Sequence, residues 1–238
     1  NGIPFNLEEV KELNENRFKK LYPYFTKPKS KVNDEILKLE NRKNGEKSCF
    51  KGKVAKTICS EEPRVLITVF PGTNSEFDTE KAFKRAGGNT EIFVFNNLTL
   101  QDISNSINEL VKKLKYSQIF VIPGGFSAGD EPDGSGKFIA NILQNEKVNA
   151  AIKEFLNKQG LILGICNGFQ ALIKSGLLPY GNTKDISVNS PTLFRNDINR
   201  HISRMINTRI SSNSSPWLSS FKIGDIHKLP VSHGEGKF

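Results

Sequence analysis

The stretch Leu163-Gly164-Ile165-Cys166-Asn167-Gly168 decides the fold of this chain. The apolar run 161–165 has the length and composition of a short buried strand, and a helix-like segment, 169–174, follows it directly. This order predicts a strand–turn–helix unit that presents Cys166 on a sharp turn above the end of a sheet. The flanking glycines lack a Cβ, so they would let the strand and helix backbones approach each other closely.

Cys166 is a candidate nucleophile because of the helix that we expect to follow it. The amino-terminal end of a helix carries a partial positive charge, which lowers a thiol pKa and raises the thiolate fraction. The alternative is a buried structural cysteine, since free cysteine is among the most buried residue types. The glycines on both sides favour the exposed turn, and with it the nucleophile.

A cysteine nucleophile usually needs a general base with an orienting partner. The chain has three histidines, His201, His227 and His233, and the last lies in the segment 231–236. In an extended segment, residues two positions apart point to the same side, so Glu235 could lie beside His233 and hold its imidazole tautomer. The alternative is a surface turn that carries a polar pair.

The segment Pro123-Gly124-Gly125-Phe126 follows another predicted strand. Its glycines would expose backbone N–H groups, which could form an oxyanion hole together with the N–H of Asn167. A phosphate-binding loop is the rival interpretation, because the run 124–136 is rich in glycine. That run lacks the Lys-Ser/Thr ending of such loops and contains three acidic residues, which disfavour bound phosphate.

From Arg64 onward, strand-like and helix-like patterns alternate. Strands are predicted at 65–70, 91–95, 118–122 and 161–165, and helices at 78–86, 100–115 and 138–156 with interruptions. Near-continuous apolar strands that alternate with helices indicate a parallel sheet covered on both faces. Ligands of such sheets bind at the carboxyl ends of the strands. The part after Pro179 predicts antiparallel strands and loops that decorate the sheet.

The amino-terminal quarter differs from this pattern. Apolar residues at helical spacing predict a helix over 7–21, which Tyr22-Pro23 would end because the residue before a proline avoids the helical region. The lysine- and asparagine-rich segment 27–62 predicts a linker with at most a short strand near 36–39. Residues 1–62 are therefore expected to be an appendage to an α/β domain.

Composition narrows the function classes. The net charge is +9, but no basic stripe with interleaved aromatic residues occurs, so we expect no nucleic-acid partner. No apolar run approaches the roughly 20 residues of a membrane span, so we expect no membrane partner. The three cysteines have no metal-ligand spacing, which predicts no metal site and favours a reducing compartment, the cytoplasm.

Three motifs in this order resemble class I (triad) glutamine amidotransferases. They are Gly164-Ile165-Cys166-Asn167-Gly168-Phe169-Gln170, Pro123-Gly124-Gly125-Phe126-Ser127 and His233-Gly234-Glu235-Gly236-Lys237-Phe238. The similarity is greatest to the glutaminase domain of phosphoribosylformylglycinamidine synthases, and it covers about residues 63–238. It implies an α/β, flavodoxin-like three-layer sandwich with a mostly parallel central sheet, plus the amino-terminal helical and extended appendage.

The resemblance also implies a domain organisation. The run 126–136 is similar to the large single-chain form of the synthase, in which the glutaminase follows an ATP-using synthetase. Residues 1–62 would then be the end of the synthetase region and its connector. Residues 63–238 would be the glutaminase domain, expected to be cut short at its carboxyl terminus. The partners implied are glutamine and the synthetase domain of the same polypeptide. No cofactor is implied in this chain, since ATP and magnesium would bind the synthetase part.

Site roles follow from the same resemblance. Cys166 would attack the side-chain amide of glutamine, His233 would shuttle protons, and Glu235 would orient His233. The backbones of Gly125 and Asn167 would bind the oxyanion. The residues implied to contact substrate are Gly124, Phe126, Gln170 and Arg200. The loop 194–205 also matches a family segment at the glutamine pocket. The family usually has Arg-Phe-Glu there, whereas this chain has Arg200-His201-Ile202.

Two other functions stay open at this point. PfpI-like cysteine hydrolases share a similar cysteine turn, but they place the catalytic histidine directly after the cysteine, where this chain has Asn167. A non-catalytic docking module of the same fold would keep the architecture without turnover, and an intact Cys, His and Glu set argues against it.

Overall fold

The computed structural model describes residues 6–16, 62–126, 136–183 and 185–237. The helices are α1 (Leu7–Asn16), α2 (Glu76–Arg85), α3 (Leu100–Tyr116), α4 (Lys137–Gln144), α5 (Glu146–Asn157), α6 (Asn167–Lys174) and the short α7 (Leu177–Tyr180). The strands are β1 (Arg64–Val69), β2 (Asn89–Val94), β3 (Ile119–Ile122), β4 (Leu161–Gly164), β5 (Ile202–Arg209) and β6 (Ile226–His233). A 3₁₀ turn covers Pro216–Leu218.

Four of these strands form one parallel sheet in the order β2-β1-β3-β4. The chain moves from β1 to β2 on one side, and then crosses back to place β3 on the other side of β1. Strand order therefore reverses between β1 and β3, and ligands of open α/β sheets bind in the crevice at such a reversal. The loops after β1, β3 and β4 meet at this carboxyl edge. The predicted flavodoxin-like sandwich is confirmed.

Hydrophobic side chains cover both faces of the sheet, as the uninterrupted apolar strands predict. On one face, Leu66, Phe120 and Ile122 are fully buried against helices α3, α4, α5 and α6. On the other face lies a smaller cluster of strand residues, with Phe83 of α2 and Trp217 packed against it. The core thus fixes the strands, and the strands fix the loops at the carboxyl edge.

Strands β5 and β6 form a separate antiparallel hairpin, in which Ile202 pairs with His233. The segment between the two strands is anchored to the sheet through Trp217, whose indole N–H donates to the Ile162 carbonyl on edge strand β4 at 3.2 Å. The Trp217 ring also meets Phe83 edge-on at 6.4 Å. This contact occupies an edge-strand carbonyl and attaches the connection between β5 and β6 to β4, the strand that leads to Cys166.

The predicted strands and helices of the α/β part all occur, with ends shifted by one or two residues. The helical pattern 138–156 is split at Asn145, whose side chain accepts the Lys147 N–H at 3.1 Å and caps the start of α5. Antiparallel strands after Pro179 are also confirmed. The predicted helix over 7–21 is present as α1, while its part beyond residue 16 and the strand near 36–39 lie outside the described residues. Within the described ranges, no helix is long and apolar enough to cross a membrane.

The glycines around Cys166 confirm the close approach that the sequence predicts. A Cβ on Gly168 would lie 2.0 Å from the Ile122 carbonyl oxygen, and one on Gly164 would lie 2.7 Å from the Gly168 carbonyl oxygen. These neighbours are backbone atoms, which cannot rotate away as a flexible side chain could. Helix α6 therefore packs with its backbone directly on the ends of β3 and β4.

We predict that Gly168→Ala lowers the free energy of unfolding by about 3 kcal/mol or more, because the methyl group must push α6 away from β3. Urea unfolding followed by circular dichroism measures the change. Gly236→Ala is the control, since a Cβ there would meet nothing closer than 3.5 Å. Equal stability of the two variants would contradict the close backbone packing.

Candidate active site

Cys166 has a backbone conformation that few residues other than glycine adopt, with φ 52° and ψ −108°. Such a conformation costs roughly 1–3 kcal/mol and persists only where the surroundings impose it. Here the Ile165 N–H donates to the Ile122 carbonyl at 3.0 Å, and the Gly168 N–H donates to the Ile165 carbonyl at 2.8 Å. These bonds fix the turn on both sides of Cys166, which is partly exposed at the start of α6.

The loop after β3 lies directly beside the cysteine. A Cβ on Gly124 would sit 3.2 Å from the Cys166 Cβ and 3.2 Å from the Ser75 Oγ. The Gly124 carbonyl accepts the Asn74 N–H at 3.2 Å and the Ser75 hydroxyl at 3.1 Å. Two donors from the β1 loop therefore hold the peptide between Gly124 and Gly125 in one orientation.

The N–H of Gly125 points away from the β1 loop. Thr73 and Gly125 form an antiparallel bridge, closed by Phe126 N–H to Gly72 O at 2.9 Å and by the Asn74 bond to Gly124. In this type of bridge the N–H groups of the two facing residues point outward, and a trans peptide directs its N–H opposite to its carbonyl. The Phe126 N–H is used in the bridge, so of these two N–H groups the one of Gly125 could donate to an oxyanion.

A buried chain of amides connects α6 to the carboxyl-terminal motif. The Asn167 side chain donates to Gln170 Oε1 at 3.1 Å, and Gln170 Nε2 lies 3.4 Å from Glu235 Oε2. All three residues are at most 3% exposed. Since the Gln170 N–H also donates to the Cys166 carbonyl at 3.1 Å, the motif packs one helical turn from the cysteine.

This arrangement gives Gln170 a contact that the sequence did not predict. The resemblance implies that its amide holds substrate glutamine, whereas the structure shows the amide between Asn167 and the Glu235 carboxylate. The substrate contact stays a prediction. The observed contact instead makes Gln170 the link between helix α6, which begins after Cys166, and Glu235.

His233 is the last residue of β6, and its Nδ1 lies 3.2 Å from the backbone carbonyl oxygen of Glu235. A carbonyl can only accept, so Nδ1 carries the proton and Nε2 is the basic nitrogen of the neutral ring. The spacing of His233 and Glu235 predicts that the carboxylate also helps to select this tautomer, and that role stays a prediction. In the structure the Glu235 carbonyl makes the Nδ1 contact, and the carboxylate of the same residue meets Gln170.

Asn196 is a site residue that the sequence reasoning missed. Its side-chain Nδ2 donates to the carbonyls of His233, at 2.8 Å, and Arg200, at 3.0 Å. Its Oδ1 accepts the Gly236 N–H at 3.0 Å, and its own N–H donates to the Gly234 carbonyl at 3.0 Å. An asparagine in a loop most often serves a local turn, so nothing in the sequence around it signalled contacts some 40 residues away.

The remaining predicted residues lie around this centre. Phe126 is 53% exposed, next to the Gly124–Gly125 peptide, and Arg200 joins the site through its carbonyl bond to Asn196. Their contacts with glutamine stay predictions. The other two histidines have different surroundings: His201 Nε2 meets the Ser232 hydroxyl at 2.8 Å, and His227 packs edge-on against Phe221 at 4.9 Å.

We predict that Gln170→Glu lowers stability in a pH-dependent way, because it places a second carboxylate against the buried Glu235. Two adjacent carboxylates cannot both ionise easily, so the pKa of one rises in the folded state. A raised carboxyl pKa leaves stability unaffected below the unfolded value of about 4.3 and lowers it increasingly as pH rises above that value.

The measurement is the melting temperature of this variant against that of the unchanged chain between pH 4 and pH 8. Gln101→Glu on the exposed surface of α3 is the matched control and should show no such widening gap. A constant difference across this range would mean that residue 170 does not face Glu235.

Comparisons with known proteins agree with this geometry. The CobB/CobQ-like glutamine amidotransferase domain family matches residues 62–238. The phosphoribosylformylglycinamidine synthase subunit PurQ of Methanococcus maripaludis (strain C7) is 37% identical over 176 residues, which are 74% of this chain and 59% of that protein. The PurQ subunit of Dehalococcoides mccartyi is 39% identical over 178 residues, which cover 73% of this chain and 62% of that protein.

A solved structure, PurLQS from Thermotoga maritima, matches with a TM-score of 0.53 and 26% identity over 74% of this chain and 68% of that chain. The chain spans about three fifths of the length of the curated relatives it matches. The family match covers most of the chain and includes the cysteine turn, the glycine loop and the His-Gly-Glu segment. This chain therefore belongs to the family of CobB/CobQ-like glutamine amidotransferase domains.

Proposed function

We propose that this chain is the glutaminase portion of a phosphoribosylformylglycinamidine synthase, which supplies ammonia to an ATP-dependent synthetase in purine biosynthesis. The observation that carries the proposal is the buried contact between the Gln170 amide and the Glu235 carboxylate. It sets the segment with His233 against the helix that begins after Cys166. In the proposal, Cys166 is the nucleophile, His233 is the base and the Gly125 N–H is an oxyanion donor, all acting at this edge of the sheet.

In the first half of the reaction, the Cys166 thiolate attacks the side-chain amide carbon of glutamine. The carbonyl π electrons move to oxygen, and the N–H groups of Gly125 and Asn167 stabilise the resulting oxyanion. As the oxyanion collapses, the C–N bond breaks and the imidazolium of His233 gives its proton to the leaving nitrogen. The products of this half are ammonia and a γ-glutamyl thioester on Cys166.

In the second half, neutral His233 accepts a proton from water at Nε2 while the water oxygen attacks the thioester carbon. The same two N–H groups hold the second oxyanion, and its collapse breaks the C–S bond. Glutamate leaves and the thiolate–imidazolium pair is restored. The Nδ1 contact with the Glu235 carbonyl keeps Nε2 as the proton acceptor throughout.

The proposed partner is a synthetase that uses ATP and magnesium. Free ammonia becomes ammonium in water at neutral pH, so useful transfer needs a shielded route to the second site. We assign the chain to the large single-chain form of the synthase, in which glutaminase and synthetase share one polypeptide. The run 126–136, which is similar to the single-chain form, supports this assignment. The 61 residues before the family match also support it, because they are expected to be the connector to the synthetase. The relatives named above are subunits, so size analysis of the native enzyme tests this assignment.

The two alternative functions predict different features at the site. A PfpI-like hydrolase needs a histidine after the cysteine, whereas Asn167 holds that place here and donates to Gln170 within the protein. A docking module needs no ordered base, whereas the tautomer of His233 is set by a defined hydrogen bond. Both observations favour the glutaminase.

We predict that a glutamine-directed chloroketone labels Cys166, because that reagent presents its electrophilic carbon where the amide carbon would bind. Peptide mass spectrometry locates the label, and free glutamine should protect the site. Cys49 and Cys59 are internal controls in the same chain. Labelling of those cysteines, or no labelling at all, would reject the glutaminase function.

Cys166→Ala should abolish glutamine-dependent synthesis in the complete enzyme and leave synthesis from added ammonium salts unchanged. The reason is that the substitution removes the nucleophile without touching the synthetase. Product formation with each nitrogen source gives the answer. Retained use of glutamine by this variant would place the nucleophile elsewhere.

We expect Glu235→Ala to lower glutamine hydrolysis by about 10- to 100-fold and His233→Ala by about 1000-fold or more. The carboxylate can be removed while the backbone carbonyl of residue 235 still accepts from Nδ1, whereas His233→Ala removes the proton carrier itself. Steady-state kinetics of both variants in the complete enzyme measure the difference. Equal losses would mean that the carboxylate does more than position the ring.

A further inference from the structure

The side chain of Asn196 uses both of its donors and its acceptor oxygen near the segment 233–236. Its two Nδ2 protons go to the carbonyls of Arg200 and His233, and its Oδ1 accepts from Gly236. The residue is only 9% exposed. A buried amide with every group satisfied imposes a defined geometry on the backbone that it binds, because an unsatisfied partner would cost the full desolvation penalty.

The groups that Asn196 binds lie on both sides of Glu235. The His233 carbonyl precedes that residue, the Gly236 N–H follows it, and the backbone N–H of Asn196 takes the Gly234 carbonyl between them. The bridge between Phe194 and Lys237 continues the same ladder, with bonds of 2.8 and 3.2 Å. The turn that contains the proposed catalytic pair is thus bound from the opposite segment both before and after Glu235.

The imidazole depends on this turn for its orientation. The acceptor for His233 Nδ1 is the backbone carbonyl of Glu235, so a shift of that peptide would change both the ring position and the tautomer. We propose that Asn196 is a positioning residue that holds the His233–Gly236 turn in its working geometry. The inference rests on the glutaminase function proposed above.

Two substitutions separate this role from simple packing. Asn196→Asp keeps the shape but replaces two donors by acceptors that face the carbonyls of Arg200 and His233. Asn196→Ala removes the hydrogen bonds without adding charge. Asn207→Asp is the matched control, because Asn207 is exposed on strand β5.

The experiment follows alkylation of Cys166 by iodoacetamide as a function of pH in the full chain, with peptide mass spectrometry separating it from Cys49 and Cys59. Only the thiolate reacts, so the midpoint of the profile reports how well the imidazolium stabilises it. Temperatures are kept below the melting transition of each variant. Glutamine hydrolysis in the complete enzyme gives kcat and KM separately.

We expect both Asn196 variants to move the Cys166 midpoint upward by about one pH unit or more, toward the value of a free thiol near 8.5. We also expect kcat to fall by about 100-fold, a larger factor than any change in KM, because the base is displaced. Asn207→Asp should retain the midpoint and the kcat of the unchanged chain. A residue that only stabilises the fold would change the melting temperature and neither of these.

An unchanged midpoint and an unchanged kcat in both Asn196 variants would overturn the proposal. So would the absence of a cooperative melting transition in both, which would make Asn196 a folding residue. If the unchanged chain itself alkylates with a free-thiol midpoint and resists the chloroketone, the glutaminase function fails instead. If the midpoint of the unchanged chain lies below that of a free thiol and both variants have the same midpoint, the role of Asn196 is rejected and the glutaminase function stands.

Discussion

The contact between the backbones of Gly168 and Ile122 is the constraint on which the rest of the site depends. A Cβ at residue 168 would lie 2.0 Å from the Ile122 carbonyl oxygen, so α6 can pack this closely on β3 only because residue 168 is glycine. With α6 seated at the end of β3, the chain must leave β4 through a turn with positive φ, and Cys166 occupies that turn. The same seating brings the thiol-bearing residue against Gly124, at the crevice where the strand order reverses. Packing of two main chains thus positions Cys166, the proposed nucleophile.

The segment with His233, the proposed base, needs a different kind of contact, because His233 lies 67 residues further along the chain and on a separate hairpin. Burying a carboxylate is costly unless hydrogen bonds compensate for the lost water. The Gln170 amide provides one of them for Glu235, and Asn167 in turn holds Gln170. A polar chain of this kind specifies a single arrangement, since an apolar contact could slide whereas a buried donor must meet its acceptor. The amides on α6 therefore select the position in which the carboxyl-terminal motif can dock.

The sequence predicted the parts of this structure that depend on local patterns. The four apolar strands, the glycines of the cysteine turn and the antiparallel character of the chain after Pro179 all follow from spacing and composition. The sequence did not predict the contacts between distant segments. Nothing near Asn196 indicates that it binds the backbone of residues 233–236, and nothing near Gln170 indicates that Glu235 will face it. Such contacts depend on how two elements dock, which no local pattern encodes.

The same limit explains why the sequence assigned one role to Glu235 where the structure shows two contacts. Residues two positions apart in a strand share a face, and that rule put the carboxylate next to the imidazole. Strand β6 ends at His233, however, so the rule no longer applies beyond it. In the turn, the carbonyl of Glu235 reaches Nδ1 while its carboxylate reaches α6. Glu235 thus contacts the His233 ring through its main chain and helix α6 through its side chain. Because both contacts start from Glu235, a movement of the turn 233–236 would change the His233 tautomer and the docking on α6 together. The amide side chains of Asn196 and Gln170 therefore have to keep this turn in place.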